Sequence, residues 1–140
     1  MEITANALQT VAATQNVLFT ETAVRGNCSI IHREGSGLIT LRGITDQCRA
    51  RFRVSFGGNV AIPTGGTVGP ISLAIAVNGE AIGPTTMIFT PAAVETFGNI
   101  STDVFIDVPA GCCATLSVKN LTVDTAIEIQ NANLIIERVA

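Results

Sequence analysis

Residues 104–139 read VFIDVPAGCCATLSVKNLTVDTAIEIQNANLIIERV, and the fold is decided here. Val104, Ile106 and Val108 alternate with Asp103, Phe105 and Asp107, the period of a strand with one face inward. Pro109-Ala110-Gly111 marks a turn. A second run, Cys112–Lys119, follows it, and Asn120 breaks the pattern. Ala126–Val139 closes the chain as a long run with a bend expected at Asn131 or Asn133. The stretch predicts three strands of one antiparallel body.

Upstream, Arg49–Phe56 (RARFRVSF) places Ala50, Phe52, Val54 and Phe56 on one face and Arg49, Arg51, Arg53 and Ser55 on the other. A helix would scatter both sets. Gly57-Gly58 allows a bulge or bend before Asn59–Ile62. Pro63–Pro70 is a loop by its Pro and Gly content. In Ile71–Val77 (ISLAIAV) the second set is small rather than polar, which predicts cover on both faces. Asn78-Gly79 follows at once, the strongest short-range hairpin signal, because both residues tolerate positive φ. The returning strand, Glu80–Phe89, is interrupted at Gly83-Pro84, and Ala92–Asn99 is ambiguous, with room for a helical turn. Nearer the start, Cys28–Arg33 and Leu38–Arg42 flank Glu34-Gly35-Ser36-Gly37 as a hairpin. Asn16–Thr20 has strand composition, and residues 1–15 read as an arm or a first strand leading into it. Eight to ten short strands with no convincing long helix predict an all-β antiparallel sandwich or jelly roll.

The totals narrow the class. A chain of 140 residues is one domain, and 47% hydrophobic against 14% charged residues is lean in charge. Either neutral polar residues cover the surface or other subunits do. No run of 18 or more apolar residues occurs, so no membrane helix is expected. The start, MEITANALQTVAATQN, has neither a basic nor an apolar region of the secretory kind. The net charge of −3 argues against general nucleic-acid binding. Six arginines between residues 25 and 53, offset by Glu34 and Asp46, make that segment +4 and the remainder −7.

Three stretches together carry a family resemblance: NVLFTE with the hairpin CSIIHREGSGLITLRG, the central pair ISLAIAVNGEAI, and VFIDVPAGCCATLSVKN with its closing strand. Over residues 16–140 the chain resembles the TNF-like jelly-roll group, which includes complement-type globular heads and the C-terminal domains of bacterial collagen-like spore-surface proteins. It departs from that pattern in having Cys112 after the turn glycine, where an acid is usual, and in lacking Tyr and Trp. A short chain of this type without a Gly-X-Y stalk looks most like the head-fibre or capsid-decoration proteins of tailed phages of Gram-positive gut bacteria. The resemblance implies a homotrimer and a non-enzymatic structural role on a virion surface, the protein being made in the host cytoplasm. A major capsid protein is then the implied partner, with residues 1–15 as the candidate attachment segment. The alternative is a jelly-roll adhesin or lectin-like head, or a spore-surface protein. A host surface glycan would then bind at Pro63–Pro70 and Glu34–Gly37.

No catalytic set stands out, and no cofactor or metal is implied. Cys28, Cys48, Cys112 and Cys113 do not have zinc-site spacing. They are read as buried thiols packed as small hydrophobes, with a disulfide between Cys28 and Cys48, which flank the hairpin, as the other reading. His32 is the sole histidine, with nothing in the spacing to tie it to a nucleophile; a polar surface or inter-subunit role fits it better. Asp103, Asp107, Asp124 and Glu128 form no calcium loop. Gly35-Ser36-Gly37 and Gly65-Gly66 lack the strand–loop–helix setting of a phosphate cradle. Arg49, Arg51 and Arg53 are either a docking face for an acidic capsid or a glycan, or a solvated face opposed by acids from a neighbouring strand. No aromatic residue interleaves with the arginines on that face, which argues against single-stranded nucleic acid.

Overall fold

The period-2 run from Arg49 becomes the longest strand. The computed structural model describes residues 1–140, with strand β6 at Arg49–Ala61. Ala50, Phe52, Val54, Phe56 and Val60 all point into the core. The expected break at Gly57-Gly58 is absent from this strand. It lies on the facing one, where the register shifts between Gln130 and Asn133. There Asn131 adopts φ +57°, a conformation Asn tolerates better than most residues.

The twelve strands form two antiparallel sheets. Sheet A runs β10 (Gly98–Pro109), β6, β12 (Ile127–Arg138), β1 (Glu2–Ala5), β3 (Glu21–Val24), with β2 (Gln9–Val11) also on β12. Sheet B runs β4 (Ile30–His32), β5 (Ile39–Arg42), β11 (Cys113–Asn120), β7 (Ile71–Val77), β8 (Glu80–Ala81), with β9 (Met87–Phe89) also on β7. After β3 the chain passes back and forth between the sheets, and their inner faces enclose a single core. Phe19 meets Phe56 edge to face, centroids 6.3 Å apart. The fold is an all-β antiparallel sandwich of the jelly-roll kind.

The stretch 104–139 supplies the last half of β10, then β11 and β12, as its alternation predicts. Asn78 and Gly79, at φ +53° and +85°, turn the β7–β8 hairpin. Ala74 and Ala76 are buried within one chain, so β7 has its two-sided cover without a partner subunit. Gly83–Thr85 is a short 3-10 turn where the return strand was expected to break, and Ala92–Phe97 holds turns rather than a helix.

Two N-terminal readings change. Asn16–Thr20 forms no ladder; it crosses between the sheets, tied by Val17 N–H to the Val118 carbonyl at 2.8 Å and Thr20 N–H to the Thr4 carbonyl at 3.0 Å. Residues 1–15, left open between arm and strand, supply β1 and β2 of sheet A. Ile3, Ala5 and Val11 are buried in the core. Burial of each Ile or Val side chain contributes about 1.5–3 kcal/mol, so this segment is part of the body.

Candidate functional site

The outer face of sheet A gathers the chemistry that the sequence singled out. Pairing of β10 with β6 sets Asp107 opposite Arg51, Phe105 opposite Arg53 and Asp103 opposite Ser55. Arg49 Nε lies 3.1 Å from Asp107 Oδ2. Arg51 donates from Nε to Asp107 Oδ1 at 2.7 Å and from Nη2 to Oδ2 at 3.1 Å. Arg53 Nη2 donates to Asp103 Oδ2 at 2.6 Å. Glu137 faces Arg53 from β12. Three arginines therefore meet three acids, and the stripe is not a free cationic surface. The hydrogen bond from Arg53 holds the Asp103 carboxyl below its usual range, against desolvation acting the other way. Arg51 does the same for Asp107.

Three apolar side chains stand out from this face, Phe105 at 63% exposure, Val24 at 55% and Ile135 at 42%. Phe105 corrects the expectation of an arginine face without aromatics: it comes from the adjacent strand. Beside it lies the outer edge of β10, twelve residues long and ladder-paired only with β6. The other edge strands, β3, β4, β8 and β9, have two to four residues. A long open edge is a site for pairing with another chain.

Toward one end of the face runs a row of asparagines that sequence reading missed. Asn99 Nδ2 donates to Asn59 Oδ1 at 3.2 Å, Asn59 Nδ2 to Asn131 Oδ1 at 3.0 Å, and Asn131 Nδ2 to Asn6 Oδ1 at 2.7 Å. The signal was the bend flagged near Asn131. Without the register nothing linked it to three residues up to 125 positions away.

The remaining candidates are structural or scattered. His32 Nε2 hydrogen-bonds the Ser36 carbonyl at 2.9 Å, and its ring lies edge-on to Phe19 at 6.4 Å. It holds the Gly35–Gly37 loop. Asp124 sits in a turn at φ +50°. Burial, together with a hydrogen bond and charge from Glu95, pushes the Glu128 carboxyl up. The loops 34–37 and 63–70 emerge at the same end of the sandwich, the end reached by the C-terminus of β11. There an apolar cleft of about 430 Å³ is lined in part by Ile62, Val68, Pro70, Leu121 and Val123. No group of three or more His, Cys, Asp or Glu side chains is placed to share a metal ion.

The cysteines overturn their leading expectation. All four are exposed and free, so none is packed as a small hydrophobe, and Cys28 is not bridged to Cys48. They sit in the turns and strand starts at the other end of the sandwich, where ladder positions give way to surface loops.

No known protein family matches the sequence, and neither does any curated protein. Solved structures do match the fold. The globular domain of zebrafish complement 1qA protein superposes with a TM-score of 0.63 at 10% identity, over 96% of this chain and 93% of that one. Murine APRIL superposes with a TM-score of 0.58 at 8% identity, over 91% and 95%.

Proposed function

We propose that this chain is a non-enzymatic, self-assembling structural protein: a homotrimer on a particle surface, of the capsid-decoration or head-fibre kind of tailed phages. The observation that carries the reading is the outer face of sheet A. Phe105 stands in water there on the one long edge strand, with Ile135 two strands further in, a cost that a second protomer would remove. The paired Arg and Asp side chains support it, since a face that neutralises its own charge can meet another protomer without net repulsion. If residues 1–15 also contact a capsid protein, the turn Asn6–Leu8 is one exposed part of them.

Light scattering tests the assembly. The wild-type chain should run at three times 14.5 kDa, and Phe105→Asp should run as a folded monomer. A monomeric wild type at micromolar concentration would overturn the trimer. Mass spectrometry of virions purified from a lysate that expresses the gene tests the location. Finding the chain in the lysate but not on the particles would overturn the decoration role.

The second reading, a glycan-binding head, is favoured by the loops 34–37 and 63–70 sharing one end with the apolar cleft at Val68 and Val123. A glycan array should then show binding that Val123→Asp abolishes; an array without hits counts against it.

A further inference from the structure

We propose that the end of the sandwich carrying Cys28, Cys48, Cys112 and Cys113 is a disulfide cross-linking surface, and that its partner is a second copy of this chain. Free cysteine is among the most buried of residue types, packing as a small hydrophobe. Here all four are exposed. They lie far apart in sequence, yet the backbone collects them. Cys113 is the register partner of Arg42, and Arg42 Nη1 donates to the Cys28 carbonyl at 3.3 Å. The next residue, Gly43, donates from its N–H to the Cys112 carbonyl at 2.8 Å. Ala110, two residues before Cys112, donates to the Cys48 carbonyl at 3.0 Å. Arg138 reinforces the gathering by donating to Ser29 Oγ at 3.2 Å and to the Ile44 carbonyl. Gly43 makes the approach sterically feasible: a Cβ there would stand 2.1 Å from the Pro109 carbonyl oxygen.

Geometry within one chain disfavours the simplest closure. Cys112 and Cys113 are consecutive, and consecutive Cα atoms lie about 3.8 Å apart across a trans peptide. That is shorter than the roughly 4.4–6.8 Å a disulfide needs. The thiols do not converge on a metal site either. Four outward thiols give each chain more than one linking point, so links propagate beyond a dimer. A second copy fits because each copy brings the same exposed thiols to meet those of the other. The end also carries both signs of charge, Arg42 and Arg49 with Asp46 and Asp107, so two copies do not meet as like charges.

The oxidant is a small-molecule disulfide such as oxidised glutathione. One chain's thiolate attacks it, forming a mixed disulfide and releasing one small thiol. A thiolate of the second chain attacks that mixed disulfide at the protein sulfur and releases the second small thiol. One S–S bond is broken and one formed between chains. The two cysteine protons and two electrons leave with the small thiols.

The test uses the full chain, purified reduced, exposed to oxidised glutathione, alkylated and run denatured without reductant. The expected result is a ladder of covalent multiples of 14.5 kDa that reductant collapses. The ladder should be lost completely when all four cysteines are changed to serine, with the circular dichroism spectrum unchanged. In the presence of an unrelated protein with an exposed thiol, links between copies of this chain should stay in clear excess. Monomer alone that is two hydrogens lighter, carrying an internal bridge, would overturn the proposal. So would glutathione adducts alone, or mixed links as abundant as links between copies. A denaturing gel reads covalent links whether or not the folded chain is a trimer, so this result is separable from the assembly reading above.

Discussion

In sheet A, the strands β6, β10 and β12 have 13, 12 and 12 residues, and their ladders run on with a single irregularity at Asn131. Their backbone groups satisfy one another, and the polar side chains on the outer face pair among themselves. In sheet B no strand exceeds eight residues, and side chains take over where the ladders stop. Thr85 Oγ1 accepts from Ile75 N–H at 3.0 Å and donates to the Ile82 carbonyl at 2.7 Å. Thr122 Oγ1 accepts from Ser72 N–H at 3.0 Å, and Asn78 Oδ1 accepts from Thr115 N–H at 3.0 Å. Asn120, wholly buried, donates to the carbonyls of Val11, Ala12 and Thr125 and accepts from Thr122 N–H. A buried backbone group must find a partner somewhere. Long strands find it in each other; short ones borrow it from a neighbouring side chain. Polar substitutions should therefore be costly in sheet B and nearly free on the outer face of sheet A.

Sheet A is broken only by taking out a strand or its core. Deleting residues 1–15 removes Ile3, Ala5 and Val11 and should abolish the cooperative fold, seen as loss of the β signal in circular dichroism. Next in size is Asn120→Leu, which strands three carbonyls and an N–H at the junction of both sheets. It should cost about 3 kcal/mol or more by urea titration. If it costs no more than a surface change, the contrast between the sheets fails. Thr85→Val keeps the shape but leaves Ile75 N–H unpaired in the interior, for an expected loss of about 1–2 kcal/mol.

Smaller effects sharpen the contrast through pH. The folded chain holds the Glu128 proton more tightly than the unfolded chain does, because burial and Glu95 disfavour the charge. That stabilisation is complete below the ordinary value of 4.5 and is lost as pH rises through the raised one. Glu128→Gln should therefore raise the melting temperature by a few degrees at pH 7 and leave it unchanged at pH 4. Asp103 has the opposite sign: its contribution is present above the ordinary 3.8 and is lost as pH falls through the lowered value. Asp103→Asn should be the mildest change of all, barely measurable at pH 7 and shrinking as the pH falls below 3.8, because the pair with Arg53 is exposed to water.

Both sheets were legible in part, sheet B in β4, β5, β7, β8 and β11 and sheet A in β6, β10 and β12. The long strands of sheet A repeat the period-2 pattern often enough to be read from Arg49 and from Val104. β3 (Glu21–Val24), exposed and only four residues long, shows no such alternation, and the sequence reading passed over it. Phe19 and Val17 looked like strand residues because they are buried, yet their segment is held by isolated bonds between sheets. Asn120 was read as the end of a run. That it ties the first strands to the β11–β12 connection depends on contacts with residues as many as 109 positions away. The arginine stripe was placed on the right face, with its acids on a neighbouring strand as one of two readings. Which acids they are, and that Phe105 stands among them, required the β10–β6 register. The cysteines were misread for the same reason. Hydrophobic character predicts burial on average, but the turns that carry these four are at the surface.

By itself the sequence determined most strands from β4 onward, their inward faces and the turns at Asn78-Gly79 and Pro109–Gly111. These follow from local geometry: alternation of side chains along one strand, and the few residues that accept positive φ. The tertiary structure alone decided which strand lies beside which. From that come the neutralised arginine face, the asparagine row, the buried staple at Asn120 and the gathering of four thiols at one end. Each depends on register between segments distant in the chain, and register is set by the packing of the whole core rather than by any stretch read alone.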